Sequence, residues 1–361
     1  ILVSYNGINF FNQNDCKCFD RLKEIKEKIH FYSVQFSGAS WHPSSFIFSE
    51  SKKKAISSQK VKNKLNNVLN AIKLLNPDYY LPAAGPAIFP FLETSLSLGR
   101  DNVFIHQNKV NTFLKKESLI KNLFLKPGES LSEATNKPIL GPDKLELEAY
   151  KKNVIDVWSS IDFKFDREQL INEINLRLKE VIDLDISNTP ILIFNYSDKF
   201  NSFDFTTESK IFIDISNKRI LNKFNYDSPY EEIIADKKYF SLMHSGERWQ
   251  NIYLSFRAKV LRHPDIFTNF INIFLYSDLT NIRNNFLETF KISTERIDIQ
   301  NKQGDIYEIN RFCPHQGADL CNAEIDSDNN LICPRHGWKF SLNNNGIDIR
   351  SGESINSNKI K

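Results

Sequence analysis

Two short motifs near the carboxyl end of the chain constrain its fold more than any other feature. Cys313 and His315 form a C-x-H pair, and 17 residues later Cys333 and His336 form a C-x-x-H pair. Each pair offers one thiolate and one imidazole, which are side chains that bind transition metals. Because the ligands of a pair are close in sequence, each pair predicts one tight loop. The long spacer lets two such loops face each other across a metal centre.

The pairing of these ligands distinguishes between two kinds of metal centre. A structural zinc site normally pairs cysteine with cysteine and histidine with histidine, whereas here each pair mixes the two residue types. In a Rieske-type [2Fe–2S] cluster two cysteines hold one iron and two histidines hold the other. Gly317 and Gly337 permit the tight turns that hydrogen bonds to bridging sulfides need. The sequence therefore favours a [2Fe–2S] cluster on the same four side chains over zinc.

The sequence around the two pairs is similar to that of the Rieske domains of oxygenases. The segments that carry the similarity are CPHQGADL at 313–320 and CPRHGWKF at 333–340. Respiratory and photosynthetic Rieske proteins have two further cysteines that form a disulfide beside the cluster, and Ala318 and Arg335 occupy those positions here. The resemblance therefore implies an oxygenase-type domain, in which Cys321 is a small buried side chain or a bystander.

The composition limits what the rest of the chain can be. With 361 residues, 41% of them apolar, the chain can bury a large core in two or three domains. The 47 basic and 44 acidic residues nearly cancel, which argues against a broad nucleic-acid interface. Five cysteines predict no disulfide framework, and no apolar stretch reaches the length of a membrane span. The simplest interpretation is a cytoplasmic protein whose natural N-terminus is missing, since the chain starts at Ile1.

Changes of pattern along the chain predict three units. They cover residues 1–184, 185–290 and 291–361. In the first unit an apolar strand at 31–36 and a long helix at 52–75 belong to an alternation that is typical of an α/β layered domain. The second unit mixes period-two strands with helices, so it is predicted to be a small α+β unit. The third unit has only short strands and turns, as expected of an all-β domain.

The first unit resembles a divergent metallo-β-lactamase fold. A strand–turn–strand ends at Asn14 and Asp15, and the segments FSGASW at 36–41, AGPAIF at 84–89 and LKPGE at 125–129 have the character of that family. Together with a Rieske domain, these segments resemble CMP-N-acetylneuraminate hydroxylase and its bacterial relatives. The resemblance implies oxidation of a substrate by O₂ with electrons fed through the cluster, and it makes a nucleotide sugar a candidate substrate.

Two further patterns bear on the first and middle units. The metal-binding H-x-H-x-D-H motif of metallo-β-lactamase hydrolases is expected on the loop after 31–36, where only His42 lies nearby. A metal-dependent hydrolase is therefore disfavoured. The strands predicted at 210–214 and 219–224 resemble sterol-carrier-like modules that accompany some enzymes of this fold. A dimerisation or packing unit is the alternative for this middle segment.

An oxygenase of this kind needs an additional mononuclear or dinuclear iron, because a cluster whose irons are fully ligated by protein cannot bind O₂. The candidate ligands outside the two motifs are Asp15, His42, His106, His244 and His263. None of these histidines has a close histidine partner in sequence, so a two-histidine, one-carboxylate site is not readable. Asp15 suits a helix cap as well as a metal, and His263 precedes a proline, as turn residues do. The ligands of a second iron are left open.

The sequence thus predicts an iron–sulfur oxidoreductase, a monooxygenase or hydroxylase acting on a small molecule. Its cluster would take electrons from a ferredoxin, a cytochrome or a flavoprotein reductase. Because electrons must pass between the two metals within one chain or across a subunit interface, a homo-oligomer is compatible with this prediction. The alternative is an electron-transfer protein, in which the Rieske domain is fused to a catalytically inactive metallo-β-lactamase-like binding domain. Oxygen consumption separates the two hypotheses.

Overall fold

A computed structural model describes most of the chain. The described residues are 1–38, 40–83, 85, 88–92, 96, 103–117, 120–126, 128–135, 137–138, 143–162, 164–186, 189–197, 209–241, 249–290, 295–315, 317–335, 337–348 and 351–361. Two residues of the sequence predictions, His244 and His336, lie outside them. Among the helices within these ranges, none combines the length and the apolar character that a bilayer crossing requires.

The first sheet has five strands in the order β1-β2-β3-β4-β5. Its strands are β1 (Leu2–Tyr5), β2 (Ile8–Asn14), β3 (Phe31–Gln35), β4 (Tyr79–Ala83) and β5 (Lys121–Asn122). β1 and β2 form an antiparallel hairpin across Asn6 and Gly7, whose φ angles are 48° and 79°, as this kind of two-residue turn requires. β2 to β5 are parallel, so their carboxyl ends meet at one edge, where ligands bind in open α/β sheets.

Helix α1 (Glu50–Leu75) connects β3 to β4 and confirms the long helix predicted at 52–75. The Ser49 side chain accepts the backbone N–H of Lys52 at its start, and Asn76 ends it in the left-handed conformation with φ 43°. Apolar side chains at helical spacing on one face of α1 pack into the core under the first sheet. They are Val61, Leu65, Val68, Leu69 and Ile72.

Within the described ranges, three further helices follow before the second sheet. They are α2 (Gln107–Glu117), α3 (Lys144–Ser160) and α4 (Arg167–Glu180). Two short 3-10 helices lie at Phe19–Glu24 and Leu131–Glu133. Asp143 and Asp166 cap α3 and α4 by accepting backbone N–H groups of the first turn.

The second sheet has the order β10-β9-β6-β7-β8. Its strands are β6 (Ile191–Ser197), β7 (Lys210–Asp214), β8 (Arg219–Leu221), β9 (Tyr230–Asp236) and β10 (Ala258–His263). The helices of this region are α5 (Lys237–Ser241), α6 (Trp249–Leu254), α7 (Asn269–Tyr276) and α8 (Ile282–Phe290). α4, α6, α7 and α8 share a large apolar core with this sheet.

The last part of the chain consists of two small antiparallel sheets. One contains β11 (Arg296–Gln300), β12 (Ile306–Asn310) and β16 (Asn358–Lys359), and the other β13 (Glu324–Ile325), β14 (Asn330–Ile332) and β15 (Lys339–Ser341). A separate apolar core between them includes Cys313 and Cys333. The all-β character predicted for this part is confirmed, whereas the boundaries of the three units and the metallo-β-lactamase-like fold stay predictions.

Candidate metal centre

The first motif lies on a loop at 313–318, called loop A. A bridge between Phe312 and Asp319 closes the base of the loop. The N–H of Cys313 donates to the carbonyl of Ala318 at 2.9 Å, and the N–H of Gly317 donates to the carbonyl of Cys313 at 2.8 Å. Gly317 has φ 62°, a left-handed conformation that glycine adopts at little cost.

The second motif lies on a loop at 333–338, called loop B, at the tip of the β14–β15 hairpin. The N–H of Cys333 donates to the carbonyl of Trp338 at 2.8 Å, and the N–H of Gly337 donates to the carbonyl of Cys333 at 2.9 Å. Gly337 has φ 68°. Loop B therefore closes with the same two backbone hydrogen bonds as loop A and has its glycine in the same conformation, as expected of two loops that hold equivalent halves of one centre.

The side chains of the two loops provide a donor set for a metal centre. Cys313 and Cys333 are 2% and 1% exposed and belong to the same apolar core. None of the five cysteines, all of which the structure describes, forms a disulfide. The His315 ring of loop A stacks on Trp338 of loop B, with 4.3 Å between ring centroids and 8° between planes. Two buried thiols and an imidazole held between the loops fit an iron–sulfur group with mixed cysteine and histidine ligands.

Charged side chains brace the base of loop A. The Arg311 guanidinium donates to Asp319 at 2.8 and 3.2 Å and also to Glu295. The hydrogen bond from Arg311 lowers the pKa of Asp319 to about 2, against the opposing effect of burial. Asp319 also accepts the backbone N–H of Cys321 at 3.0 Å. This pairing fixes the residue that follows loop A.

Loop B contacts the first part of the chain. Asp20, in the 3-10 helix, accepts the backbone N–H of Asp319 at 3.3 Å, and its carboxylate lies 3.6 Å from Arg335 of loop B. On α1, the Asn67 amide donates to the carbonyl of Pro334 at 3.4 Å. The Asn63 amide is so close to Gly337 that a Cβ there would lie 2.6 Å from its Nδ2. Loop B is therefore packed against α1.

The imidazole of loop A contacts the middle part of the chain. The Phe267 ring is nearly perpendicular to His315 and Trp338, with centroid distances of 5.5 and 5.7 Å. The guanidinium of Arg262, 5.9 Å from the Phe267 ring, is paired with buried Glu231 at 2.8 Å. Both loops thus face other parts of the same chain.

Comparison with known families identifies this region. Residues 273–357 match the Rieske [2Fe-2S] domain family. The C-terminal part of this chain is a Rieske [2Fe–2S] domain. It binds a [2Fe–2S] cluster, which is the cofactor predicted from the two motifs. The match begins upstream of position 291, where the sequence pattern placed the start of the domain.

Curated relatives match the chain at low identity. The large subunit of a 2-halobenzoate 1,2-dioxygenase from Burkholderia cepacia is 32% identical over 57 residues, 16% of this chain and 12% of that protein. Cholesterol 7-desaturase nvd 2 of Ciona intestinalis is 31% identical over 111 residues, 30% of this chain and 24% of that protein. A Rieske 2Fe-2S iron-sulfur protein of Mycolicibacterium smegmatis is 22% identical over 391 residues, 100% of this chain and 73% of that protein. No solved structure matches the chain.

The candidate ligands outside the Rieske domain have different surroundings. Asp15 is exposed directly after β2, and it does not cap the next helix, whose N-cap residue Cys18 makes no side-chain cap bond. His42 packs edge-on against Phe46 at 4.7 Å. His106 precedes α2. Within the described ranges, which exclude His244 and His336, no group of three or more histidine, cysteine, aspartate or glutamate side chains could hold a metal ion.

Two other sequence expectations are resolved in part. His263 ends β10 beside Tyr230, with a cis bond to Pro264, in keeping with the turn expected there. Cys321 is exposed, so the buried role considered for it is wrong and the bystander role remains. The residues that sequence reasoning missed are those that dock the Rieske domain: Asp20, Asn63, Asn67 and Phe267.

Proposed function

We propose that this protein is an iron–sulfur oxidoreductase that oxidises a small molecule with O₂, as a monooxygenase or hydroxylase. Cys313 and Cys333 would hold one iron of its Rieske cluster, and His315 and His336 the other. Two relatives that match the chain, a dioxygenase subunit and a desaturase, are oxidoreductases by name, and they support this class. Rieske proteins accept electrons from a reductase or a ferredoxin, and we propose such a donor here.

The docking of the two loops on their own chain carries this proposal. An electron carrier must present its cluster to a separate acceptor protein. Here Phe267 lies against His315, and Asn63 and Asn67 lie against loop B. Electrons that leave the cluster on this side therefore enter the same chain, which is the arrangement expected of an oxygenase that contains its own reaction site.

A polar stripe on α1 leads from loop B to the first sheet. The stripe consists of Lys60, Asn63, Lys64 and Asn67, which recur at helical spacing and are partly buried. Its first and last residues are about 10 Å apart along the helix axis. Lys60 donates to the carbonyl of His42 at 2.9 Å, so the stripe ends at the loop after β3. We place the reaction site here, at the carboxyl edge of the parallel strands.

The roles of this chain's residues follow from these contacts. When bound, the cluster supplies one-electron transfer at a potential raised by its histidine ligands. Trp338 holds the His315 imidazole by stacking, and Phe267 lies beside the stacked pair, where it shields both rings from water. The ion pair with buried Glu231 fixes the Arg262 guanidinium beside the Phe267 ring.

We propose in addition that the first unit is a divergent metallo-β-lactamase-like domain, and that it is related to CMP-N-acetylneuraminate hydroxylase. The parallel order of β2 to β5, with α1 between β3 and β4, supports an α/β layer of this kind. An additional iron at the carboxyl edge, a nucleotide sugar as substrate, a homo-oligomer and a cytoplasmic setting belong to the same proposal.

Iron and acid-labile sulfide per chain, with an EPR spectrum after dithionite reduction, test this function. A Rieske spectrum with about three irons to two sulfides is expected, because the additional iron needs a site of its own. Oxygen uptake with a reductant and candidate substrates should accompany it. About two irons to two sulfides in a fully loaded preparation, without oxygen uptake, would contradict an oxygenase and favour an electron-transfer protein.

A further inference from the structure

The contacts of Phe267 lead from the imidazole of loop A to a buried cation. The guanidinium carbon of Arg262 lies 5.9 Å from the centre of the Phe267 ring, and 5.5 Å separate the ring centroids of Phe267 and His315. The guanidinium is therefore within about 12 Å of the imidazole, a distance over which charges still interact in a protein interior. Arg262 belongs to β10, and its side chain is only 9% exposed. A positive charge is thus enclosed on the side of loop A that faces the middle part of the chain.

A carboxylate and a second aromatic ring fix the position of this cation. Strands β9 and β10 place Glu231 directly opposite Arg262, and Nε of Arg262 donates to Oε2 of Glu231 at 2.8 Å. The Phe46 ring lies 4.9 Å from the guanidinium carbon. A planar guanidinium that pairs with a carboxylate and contacts aromatic rings keeps one orientation. The distance between this charge and loop A is therefore set by the fold.

The ion pair between Arg262 and Glu231 presents its positive member to Phe267. The Glu231 side chain is 6% exposed, so both charges are held away from water. Such a pair stabilises a fold little more than apolar side chains of the same size would, because desolvation of the charges is costly. Stability alone therefore does not account for a charge here. The outer charges of the same network, Asp265 and Lys52, are more exposed, and solvent screens them.

We propose that Arg262 raises the reduction potential of the Rieske cluster and that Glu231 limits this effect. Reduction adds one electron, and so one negative charge, to the cluster, and an enclosed cation nearby stabilises the product. The electron comes from the reductase or ferredoxin that serves as donor, and no proton or further reactant is needed. The inference rests on the proposed role of His315 as a ligand, whereas it is independent of the reaction with O₂.

The test is a redox titration of the holoprotein, followed by the EPR signal of the reduced cluster. Arg262→Gln should lower the equilibrium constant for reduction about tenfold, which is about 59 mV for one electron. A Coulomb interaction over about 12 Å at an effective dielectric constant of about 20 gives a factor of this size. Glu231→Gln should raise the potential, because the cation then lacks its buried partner. Arg262→Lys keeps the charge and should stay close to the wild-type potential.

The matched control is Lys52→Gln, which removes a cation of the same network that is 44% exposed and should leave the potential unchanged. The EPR line shape and circular dichroism show that each variant is folded and loaded. Potentials of Arg262→Gln and Glu231→Gln that are unchanged, or that shift in the same direction, would overturn the inference and leave the oxidoreductase proposal standing.

A second arm keeps the test decisive if Arg262→Gln does not fold. In that case a raised potential in Glu231→Gln, with a wild-type potential in Arg262→Lys, supports the inference. An unchanged or lowered potential in Glu231→Gln would overturn it. Opposite shifts of the two glutamine variants in a protein that consumes no oxygen would contradict the oxidoreductase proposal alone.

Discussion

Loops A and B share their closing hydrogen bonds and differ in their surroundings. Each closes with the same two hydrogen bonds, and each contains a glycine with positive φ. Loop A is braced by the Arg311–Asp319 pair at its base, and its imidazole meets Phe267. Loop B is held by α1 and by Asp20, at the other end of the chain. The comparison shows that the loop geometry is local, whereas the direction in which the cluster faces is set by distant segments.

The largest expected effect tests what the two loops share. Cys313→Ser and Cys333→Ser should each abolish the cluster, since each removes a thiolate from the same iron. Iron and sulfide analysis with EPR should then show neither the metal nor the Rieske signal. Cys321→Ser is the matched control, because this cysteine lies close to loop A but is exposed. A Rieske signal that survives in Cys333→Ser would contradict the ligand assignment.

The next effect tests what is particular to loop B. Asp20→Asn should weaken the contact with Arg335 and cost about 2 kcal/mol, because the Asp20 side chain is only 6% exposed and a charge loses its partner. Hydrogen exchange of the loop B amides measures this as a lower free energy of local opening. Loop A should lose less protection, because Asp20 reaches it only through the backbone N–H of Asp319 at its base.

Glu24→Gln is the control for Asp20→Asn. Glu24 belongs to the same 3-10 helix, but its salt bridge with Arg21 is exposed, so no measurable change in loop B is expected. Equal loss of protection in both variants would show that the 3-10 helix as a whole, and not the Asp20 carboxylate, holds loop B.

The same contrast between local and distant contacts explains how much of the structure could be predicted from the sequence. The loops were predictable because each metal-binding pair and its turn glycine lie within a few residues. Helix α1 was predictable from its apolar periodicity and from the Asn76 that ends it. The docking was not: Asp20 and Asn67 meet partners 299 and 267 residues away in sequence. Nothing in a single sequence distinguishes such polar residues from other surface positions.

The candidate ligands for a second iron are the opposite case, because their residue type is conspicuous in the sequence. Isolated histidines such as His42 were candidate ligands because histidine is a common metal ligand. The structure packs His42 against Phe46 and Phe48, where its ring contributes to an aromatic contact. The contact between Lys64 and Gln35 was not predicted, since a lysine on an amphipathic helix usually faces solvent. This contact depends on the approach of α1 to the edge of β3, which is a tertiary feature.

The two glycines sharpen the comparison further. Gly317→Ala should cost about 1 kcal/mol, the strain of a left-handed alanine, because a Cβ there meets nothing within 4 Å. Gly337→Ala should cost about 2 kcal/mol, since its Cβ also displaces the Asn63 amide, which accepts a hydrogen bond from Gln59 at 2.7 Å. The temperature at which the cluster absorbance is lost measures both.

A double variant shows whether the extra cost comes from docking. Asn63→Ala combined with Gly337→Ala should recover most of the difference between the two glycine variants, because the displaced amide is gone. Asn63→Ala combined with Gly317→Ala should recover nothing, as loop A does not contact Asn63 in the described contacts. If the effects of the two substitutions on the temperature of cluster loss were additive in both double variants, α1 would not be the element that distinguishes loop B from loop A.

The smallest effect concerns Lys64, within the α1 stripe. Its folded pKa is about 8, below the usual 10.5, so the unfolded chain binds more protons between these pH values. Stability should therefore rise by about 1 kcal/mol from pH 8 to pH 10.5, an amount reduced by solvent screening, and stay flat below pH 8. Lys64→Gln should lack this rise, whereas Lys62→Gln should keep it. A wild-type curve without this rise would contradict the partial burial of the Lys64 ammonium.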